Sequence, residues 1–134
     1  MKISVGIITF NRPETLKLVL DALRKQTRQA NEIIVVDNST NNETKKLVKN
    51  FPKVKYIFVK ERKYQPQARN IVLKKCNGNV IAFLDDDAIP EKQWLSAIEE
   101  SYYDNSVVGA TGPALNCLEP GKPTEKIIRS NKNR

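Results

Sequence analysis

The chain has 134 residues and a net charge of +8, with 28% charged and 40% apolar residues. That suits one soluble domain with a real core, excludes a disordered chain, and leaves no run near the ~20 apolar residues of a membrane span. There is no histidine, which excludes Ser-His-Asp and Cys-His catalysis and argues against zinc, and the two cysteines, Cys76 and Cys117, read as free thiols in a reducing compartment.

Residues 3–9 (Ile-Ser-Val-Gly-Ile-Ile-Thr) read as a first strand that begins almost at Met1, so no signal peptide is expected. Phe10-Asn11-Arg12-Pro13-Glu14 opens a helix, with Asn11 or Arg12 at the cap and Pro13 at the first helical position. Leu16, Val19, Leu20 and Leu23 recur at one helical face. Glu32 to Val36 is a second strand that runs into Asp37. A polar turn, Asn38 to Asn42, leads to a short helix over 43–50 and a third strand over 54–59. A charged loop, Lys60 to Tyr64, precedes a helix over 67–76, with Gly78 as its expected C-cap. Val80 to Leu84 is an unbroken apolar run, the pattern of a strand buried on both faces. A helix opening at Ala88-Ile89-Pro90-Glu91 and a fifth strand over 107–111 complete the pattern, with Cys76 and Trp94 expected in the core. Alternating strands and helices predict an α/β fold, a mainly parallel twisted sheet with helices on both faces. The expected domain is 1–118. Residues 119–134 form a basic, weakly patterned tail, and residues 121–134 carry half of the net charge.

In such sheets, ligands bind outside the carboxyl ends of the strands. Those ends carry Thr9-Phe10-Asn11, Asp37-Asn38-Ser39 and Asp85-Asp86-Asp87. Three adjacent aspartates cannot sit unpaired in a core, and side by side each raises the others' pKa. Hard oxygens at alternate positions, Asp85 and Asp87, suit Mg²⁺ or Mn²⁺, with waters and substrate phosphates completing the shell. The same residues would also serve as a solvated acidic turn that caps the next helix.

No GxGxxG follows the first strand and no GxxxxGK[ST] is present, which removes the dinucleotide fingerprint and the P-loop. Strand one lacks the acidic residues of a receiver domain and the aspartate nucleophile of a haloacid-dehalogenase-type phosphatase. Four stretches remain: Val5-Gly6-Ile7-Ile8-Thr9-Phe10-Asn11-Arg12; Ile33-Ile34-Val35-Val36-Asp37-Asn38-Ser39; Gln67-Ala68-Arg69-Asn70; and Phe83-Leu84-Asp85-Asp86-Asp87. In this order and spacing, the chain over about residues 3 to 118 resembles the N-terminal half of family 2 glycosyltransferases, which have the GT-A fold, a Rossmann-like nucleotide-diphospho-sugar transferase fold.

The resemblance implies a nucleoside-diphosphate sugar, a UDP-sugar first among them, as the donor. It places Thr9 and Asn11 beside the nucleotide and Asp37 at a uracil-like base edge. Arg69 falls near the diphosphate and Asn70 near the nucleotide. Asp85 and Asp86 fall on the substrate side, Asp85 at the ribose, and Asp87 holds the Mn²⁺ or Mg²⁺ that bridges the phosphates. It also implies inversion at the anomeric carbon and a carboxylate base from the acceptor-binding half. No residue of this chain is identified as that base. Glu119 and Glu125 lie in the unpatterned tail.

The alternative is a nucleotide-sugar-binding module without transfer activity of its own. A nucleic-acid-binding protein fits the charge, but zinc-finger spacing, an RNP-like motif and aromatic–basic interleaving are missing, so no nucleic acid is expected. A nucleotidyltransferase would show a Gly-rich phosphate loop near its N-terminus. The sequence pattern predicts a cytoplasmic protein, with the basic tail available for the cytoplasmic face of a membrane or a partner protein.

Overall fold

Strands and helices alternate along the computed structural model, which describes residues 1–112. The order is β1 (Ile3–Thr9), α1 (Pro13–Arg24), β2 (Glu32–Asp37), α2 (Glu43–Val48), β3 (Val54–Phe58), α3 (Gln65–Lys75), β4 (Val80–Asp85) and α4 (Trp94–Ser101). The four strands form one sheet in the order β3-β2-β1-β4, every pair parallel. The expected α/β architecture is therefore present. β1 has the bounds its sequence predicts, the ends of the next six elements move by up to two residues, and the last helix starts later than expected.

The β-branched runs explain the sheet. Ile34 and Val36 face α3, where they pack with Ala68 and Val72 among Ile8, Ile57, Ile81 and Phe83. Their alternates Ile33 and Val35 point to the other side, as the two-residue period requires. There Leu16, Val19, Leu20 and Leu23 of α1 are fully or almost fully buried. Each such side chain contributes about 1.5–3 kcal/mol relative to exposure. Gln26, buried just after α1, donates to the Glu91 carbonyl at 2.6 Å and accepts from the Leu95 backbone N–H at 3.0 Å. That clamp holds the segment before α4, where residues 88–91 are irregular and 92–93 form a turn, so α4 starts at Trp94 rather than at Ala88. Trp94 and Cys76 are half-buried.

Two glycines are needed for close approach. A Cβ on Gly6 would lie 2.6 Å from Val72 Cγ1 and 3.2 Å from the Phe83 ring, so α3 sits closer to β1 than any side chain allows. Gly78 is not the left-handed helix cap that its position suggests. α3 ends in extended backbone at Cys76 (φ −78°, ψ 152°), and Gly78 instead passes against Ser4, where a Cβ would collide with both the hydroxyl and the backbone nitrogen. At this amino edge, Glu32 accepts from the Ser4 hydroxyl at 2.7 Å and from Asn77. Partial burial pushes its carboxyl up, but those hydrogen bonds outweigh burial and hold it below the ordinary value.

Internal contacts divide the chain into two units, 1–100 and 101–134. In the described part of the second unit, Asp104 accepts from the Ser106 hydroxyl at 2.7 Å and its N–H at 2.9 Å. The fifth strand expected over 107–111 does not form: these residues are irregular, and Val108 is 97% exposed. Two valines beside Gly109, whose Cβ position meets nothing within 4 Å, supply too little surface to hold a strand. Cys117, the boundary at 118 and the basic tail lie outside the described residues.

Gly6→Ala is expected to cost about 1–3 kcal/mol by overpacking against Val72. Urea denaturation measures it, and Val72→Ala should recover part of the loss in the double variant; an unchanged midpoint in Gly6→Ala would contradict the close approach. Because the Glu32 carboxyl is depressed in the folded state, its contribution is present above pH ~4.5 and is lost as pH falls through its folded value. Glu32→Gln should therefore flatten the acid side of the stability–pH curve, while wild type keeps a steeper fall.

Candidate active site

The parallel register decides which polar residues meet at the carboxyl edge. Thr9 pairs with Asp37, and one step back Ile8 pairs with Asp85. Thr9 and Asp37 therefore share the sheet face of Ile33 and Val35. Asp85 shares the opposite face with Ile8 and Phe83, on the α3 side.

Asp86, just past β4, is the buried member of the triplet. Its Oδ2 accepts from Thr9 Oγ1 at 2.8 Å, and its Oδ1 lies 3.3 Å from Arg12 Nη1. The same Arg12 nitrogen lies 3.1 Å from Asp87 Oδ2. Arg12 is the N-cap residue of α1, with Pro13 following it. The chain reaches it through Asn11, the one non-glycine residue with positive φ (53°) among the described residues. Asparagine tolerates this left-handed conformation. Its neighbours hold it there: its N–H donates to Ser39 Oγ at 2.8 Å, and its side-chain amide exchanges hydrogen bonds with Thr40. Asn11 thus pins the β1 loop to the β2 loop.

Asp37 is fully buried. Its Oδ1 accepts from the Ser39 N–H at 2.8 Å and its Oδ2 from the Tyr56 hydroxyl at 2.7 Å. Burial, and then the bond to Asp37 and its charge, pushes the Tyr56 phenol above its ordinary pKa, so it stays a donor. Asn38 beside it donates to the carbonyls of Val59 and Glu61 and accepts from the Lys63 N–H. These bonds shape the loop after β3 and set the Arg62 guanidinium over the Phe10 ring, 4.8 Å from its centroid.

On the α3 side, the Arg69 guanidinium lies 5.2 Å from the Phe83 ring centroid, and Phe83 precedes Asp85 by two residues on the same face. Arg69 and Asn70 are exposed. Asp85 is also exposed, and its carboxylate has no hydrogen-bond partner among the described residues.

Thr9, Asn11, Asp37, Asp85, Asp86 and Asp87 thus gather at one edge of the sheet, with Asp85 and Arg69 on its α3 side. Three contributors are not evident from the sequence. Arg12 reads there only as a helix start, although its place between Asn11 and Pro13 is a signal. Tyr56 is hidden inside an ordinary strand pattern, and Asn38 inside a polar turn.

Among the described residues, no three metal-binding side chains surround one point. Asp86 is spent on Thr9 and Arg12, leaving Asp85 and Asp87 as hard-oxygen donors. Such a pair fits Mg²⁺ or Mn²⁺ completed by water and phosphate rather than an all-protein cage. The Arg12 guanidinium between Asp86 and Asp87 marks the edge as a place that holds positive charge.

The model of the family described as glycosyl transferase family 2 matches residues 4–133. The chain belongs to that family. It is 31% identical over 99 residues to glycosyltransferase AglE of Haloferax volcanii, covering 69% of this chain and 33% of that one. Against the GalNAc(5)-diNAcBac-PP-undecaprenol beta-1,3-glucosyltransferase of Campylobacter jejuni, identity is 34% over 91 residues, covering 64% and 29%. The fold matches S. aureus TarS in complex with UDP-GlcNAc at a TM-score of 0.71 and 25% identity, over 84% of this chain and 37% of that one. The chain therefore spans about a third of the length of the curated relatives named here, and its fold is that of the GT-A glycosyltransferases. Among the described residues, no helix of this family 2 domain is long and apolar enough to cross a membrane.

The anchoring of Asp86 is testable. Thr9→Val leaves a buried carboxylate oxygen without its donor and should cost about 1–3 kcal/mol, read from the urea midpoint. Thr9→Ser, which keeps the hydroxyl, should lie closer to wild type. Equal loss in both variants would show that packing, not the hydrogen bond, matters at this position.

Proposed function

We propose that this domain is the donor half of a metal-dependent glycosyltransferase. It binds a nucleoside-diphosphate sugar, a uridine diphosphate sugar first among them, for transfer to an acceptor hydroxyl with inversion. The observation that carries the reading is the carboxyl edge itself. Two exposed carboxylates, Asp85 and Asp87, flank a buried and saturated Asp86, within a family whose solved members include a UDP-GlcNAc complex.

In this reading, Thr9 and Asn11 form the wall beside the nucleotide, and Asp37, with Tyr56 beside it, accepts from the base edge. Because Asp37 is fully buried, the base reaches it only where the wall above it opens. Asp85 takes the ribose and shares with Asp87 the holding of Mn²⁺ or Mg²⁺. Asp86 supports both from below, and Asn70 faces the nucleotide. Arg69 stands on the Asp85 side, where a diphosphate would gain negative charge as the sugar–phosphate bond breaks. A preorganised cation at that place favours the transition state over the ground state. The metal, when bound, neutralises the same developing charge.

The acceptor hydroxyl still needs a base within hydrogen-bond reach. Of the carboxylates after Asp87, Glu91 and Glu100 are exposed on or beside the last helix, Glu99 is paired with Arg28 at 3.2 Å, Asp104 is committed to Ser106, and Glu119 and Glu125 lie outside the described residues. That favours a second reading alongside the first: the 134 residues bind nucleotide sugar, and an acceptor half beyond them supplies the base. The basic tail then suits an anionic surface such as the cytoplasmic face of a membrane.

Calorimetry with UDP-GlcNAc and other nucleotide sugars, each with Mn²⁺ and with chelator, tests this. Binding should tighten with Mn²⁺. Ligand at a hundred times its dissociation constant should raise stability by about 2.7 kcal/mol. Asp87→Asn should remove the Mn²⁺-dependent part only, and Asp37→Asn should weaken uridine nucleotides even in chelator. Equal affinity with and without Mn²⁺ would sink the metal role. Fast, acceptor-dependent release of UDP by the 134 residues alone would sink the incomplete-site reading and leave the transferase reading standing.

A further inference from the structure

Arg12 is the one cation in contact with the acidic triplet among the described residues, and its two contacts differ in kind. Toward Asp86 it meets a carboxylate only 10% exposed, which Thr9 also holds. Toward Asp87 it meets a carboxylate that is 57% exposed, while Arg12 itself is 56% exposed. A single nitrogen, Nη1, bridges the two oxygens. An ion pair this open to water contributes little to stability, so the Asp87 arm is easily exchanged. The Asp86 arm is sheltered and fixes the residue's position.

We propose that Arg12 is an internal counter-ion for the donor site. It occupies Asp87 in the nucleotide-free protein, competes there with the divalent ion, and is drawn off by the donor's diphosphate. This rests on the metal and donor reading above and adds to it a coupling between the two ligands. Without nucleotide, a divalent ion at Asp87 faces a guanidinium a few ångströms away, and like charges repel. With nucleotide, the diphosphate neutralises the guanidinium. Divalent ion and nucleotide therefore bind each better in the presence of the other, and by linkage the enhancement is reciprocal. Arg12 is a positioning residue here: it acts through Asp86 and Asp87 and leaves the reacting atoms alone.

The test is Mn²⁺ binding, followed by the spin-resonance signal of free Mn²⁺, with and without UDP. It is run on wild type, Arg12→Gln and Arg12→Lys. Removing a unit charge ~5 Å from a divalent ion in water-like surroundings should tighten nucleotide-free Mn²⁺ binding on the order of tenfold in Arg12→Gln. Arg12→Lys, which keeps the charge, should restore weak binding. UDP should enhance Mn²⁺ binding more in wild type than in Arg12→Gln. Equal Mn²⁺ affinity in wild type and Arg12→Gln, or Arg12→Lys behaving like Arg12→Gln, overturns the role of Arg12 and leaves the donor-site reading intact. No Mn²⁺ binding by either wild type or Arg12→Gln, with or without UDP, overturns both. Should Arg12→Gln fail to fold, the wild type decides. Titration with diamagnetic Mg²⁺ should shift the Arg12 side-chain N–H resonance, and a resonance that stays put through saturation rejects the exchange.

Discussion

The carboxyl edge depends on the burial of Asp86. A carboxylate taken out of water must be paired or hydrogen-bonded, and the protein meets that demand from two directions. Thr9 brings in the end of β1, and Arg12 brings in the start of α1. The end of β4, the end of β1 and the head of α1 therefore meet at one charged atom pair. The loop between β1 and α1 has little freedom left, and the left-handed Asn11 follows from it. A short turn has to carry the chain from the sheet to a helix start that faces the end of β4, and Ser39 and Thr40 fix the turn in that shape.

The turn at the end of β4 explains why three adjacent aspartates are not redundant. β4 ends at Asp85, and the Ala88 N–H donates to the Asp85 carbonyl at 3.2 Å, which places Asp86 and Asp87 in a tight turn. The middle carboxylate turns toward Thr9 and becomes structural, and the outer two remain in solvent. Burial separates them: Asp86 is buried, while Asp85 and Asp87 are both exposed. Alternation within the strands divides the site across the sheet. Asp37 and Tyr56 lie on the α1 side, and Asp85 and Arg69 on the α3 side, so a ligand that touches both sets has to lie across the strand ends.

Much of this is legible in the amino-acid sequence alone. Apolar periodicity places the four strands and the first three helices. The position of polar residues just after strands places Thr9, Asp37 and Asp85 on one edge. Periodicity cannot see what a side chain is paired with. It does not tell that Asp37 is closed off under Tyr56, that Asn11 ties two loops together, or that Arg12 crosses to β4. Those are contacts between residues 19 to 75 positions apart. Gly78 misleads for a related reason. A glycine after a helix suggests a left-handed cap, whereas here the missing Cβ is required by Ser4, 74 positions away. The fifth strand fails because a local β-pattern is only half of a strand. Val107 and Val108 have the propensity, but no neighbour covers Val108, and pairing and burial outweigh propensity.

An edge built in this way divides its carboxylates into one that holds the fold and two that do not. Asp86 joins β4 to the end of β1 and the head of α1, and it could not be given up to a metal without loosening both contacts. The remaining charges, Asp85 and Asp87, are the ones the fold can spare. Their mutual repulsion is tolerable because Arg12 stands beside one of them and solvent screens the other. On the proposed reading, two spare carboxylates beside one exchangeable cation would hold a divalent ion poorly by themselves and better when a ligand brings its own phosphate oxygens. Such a protein would not need to prebuild a cage, since cation, phosphates and acidic edge would assemble together at the ends of the parallel strands.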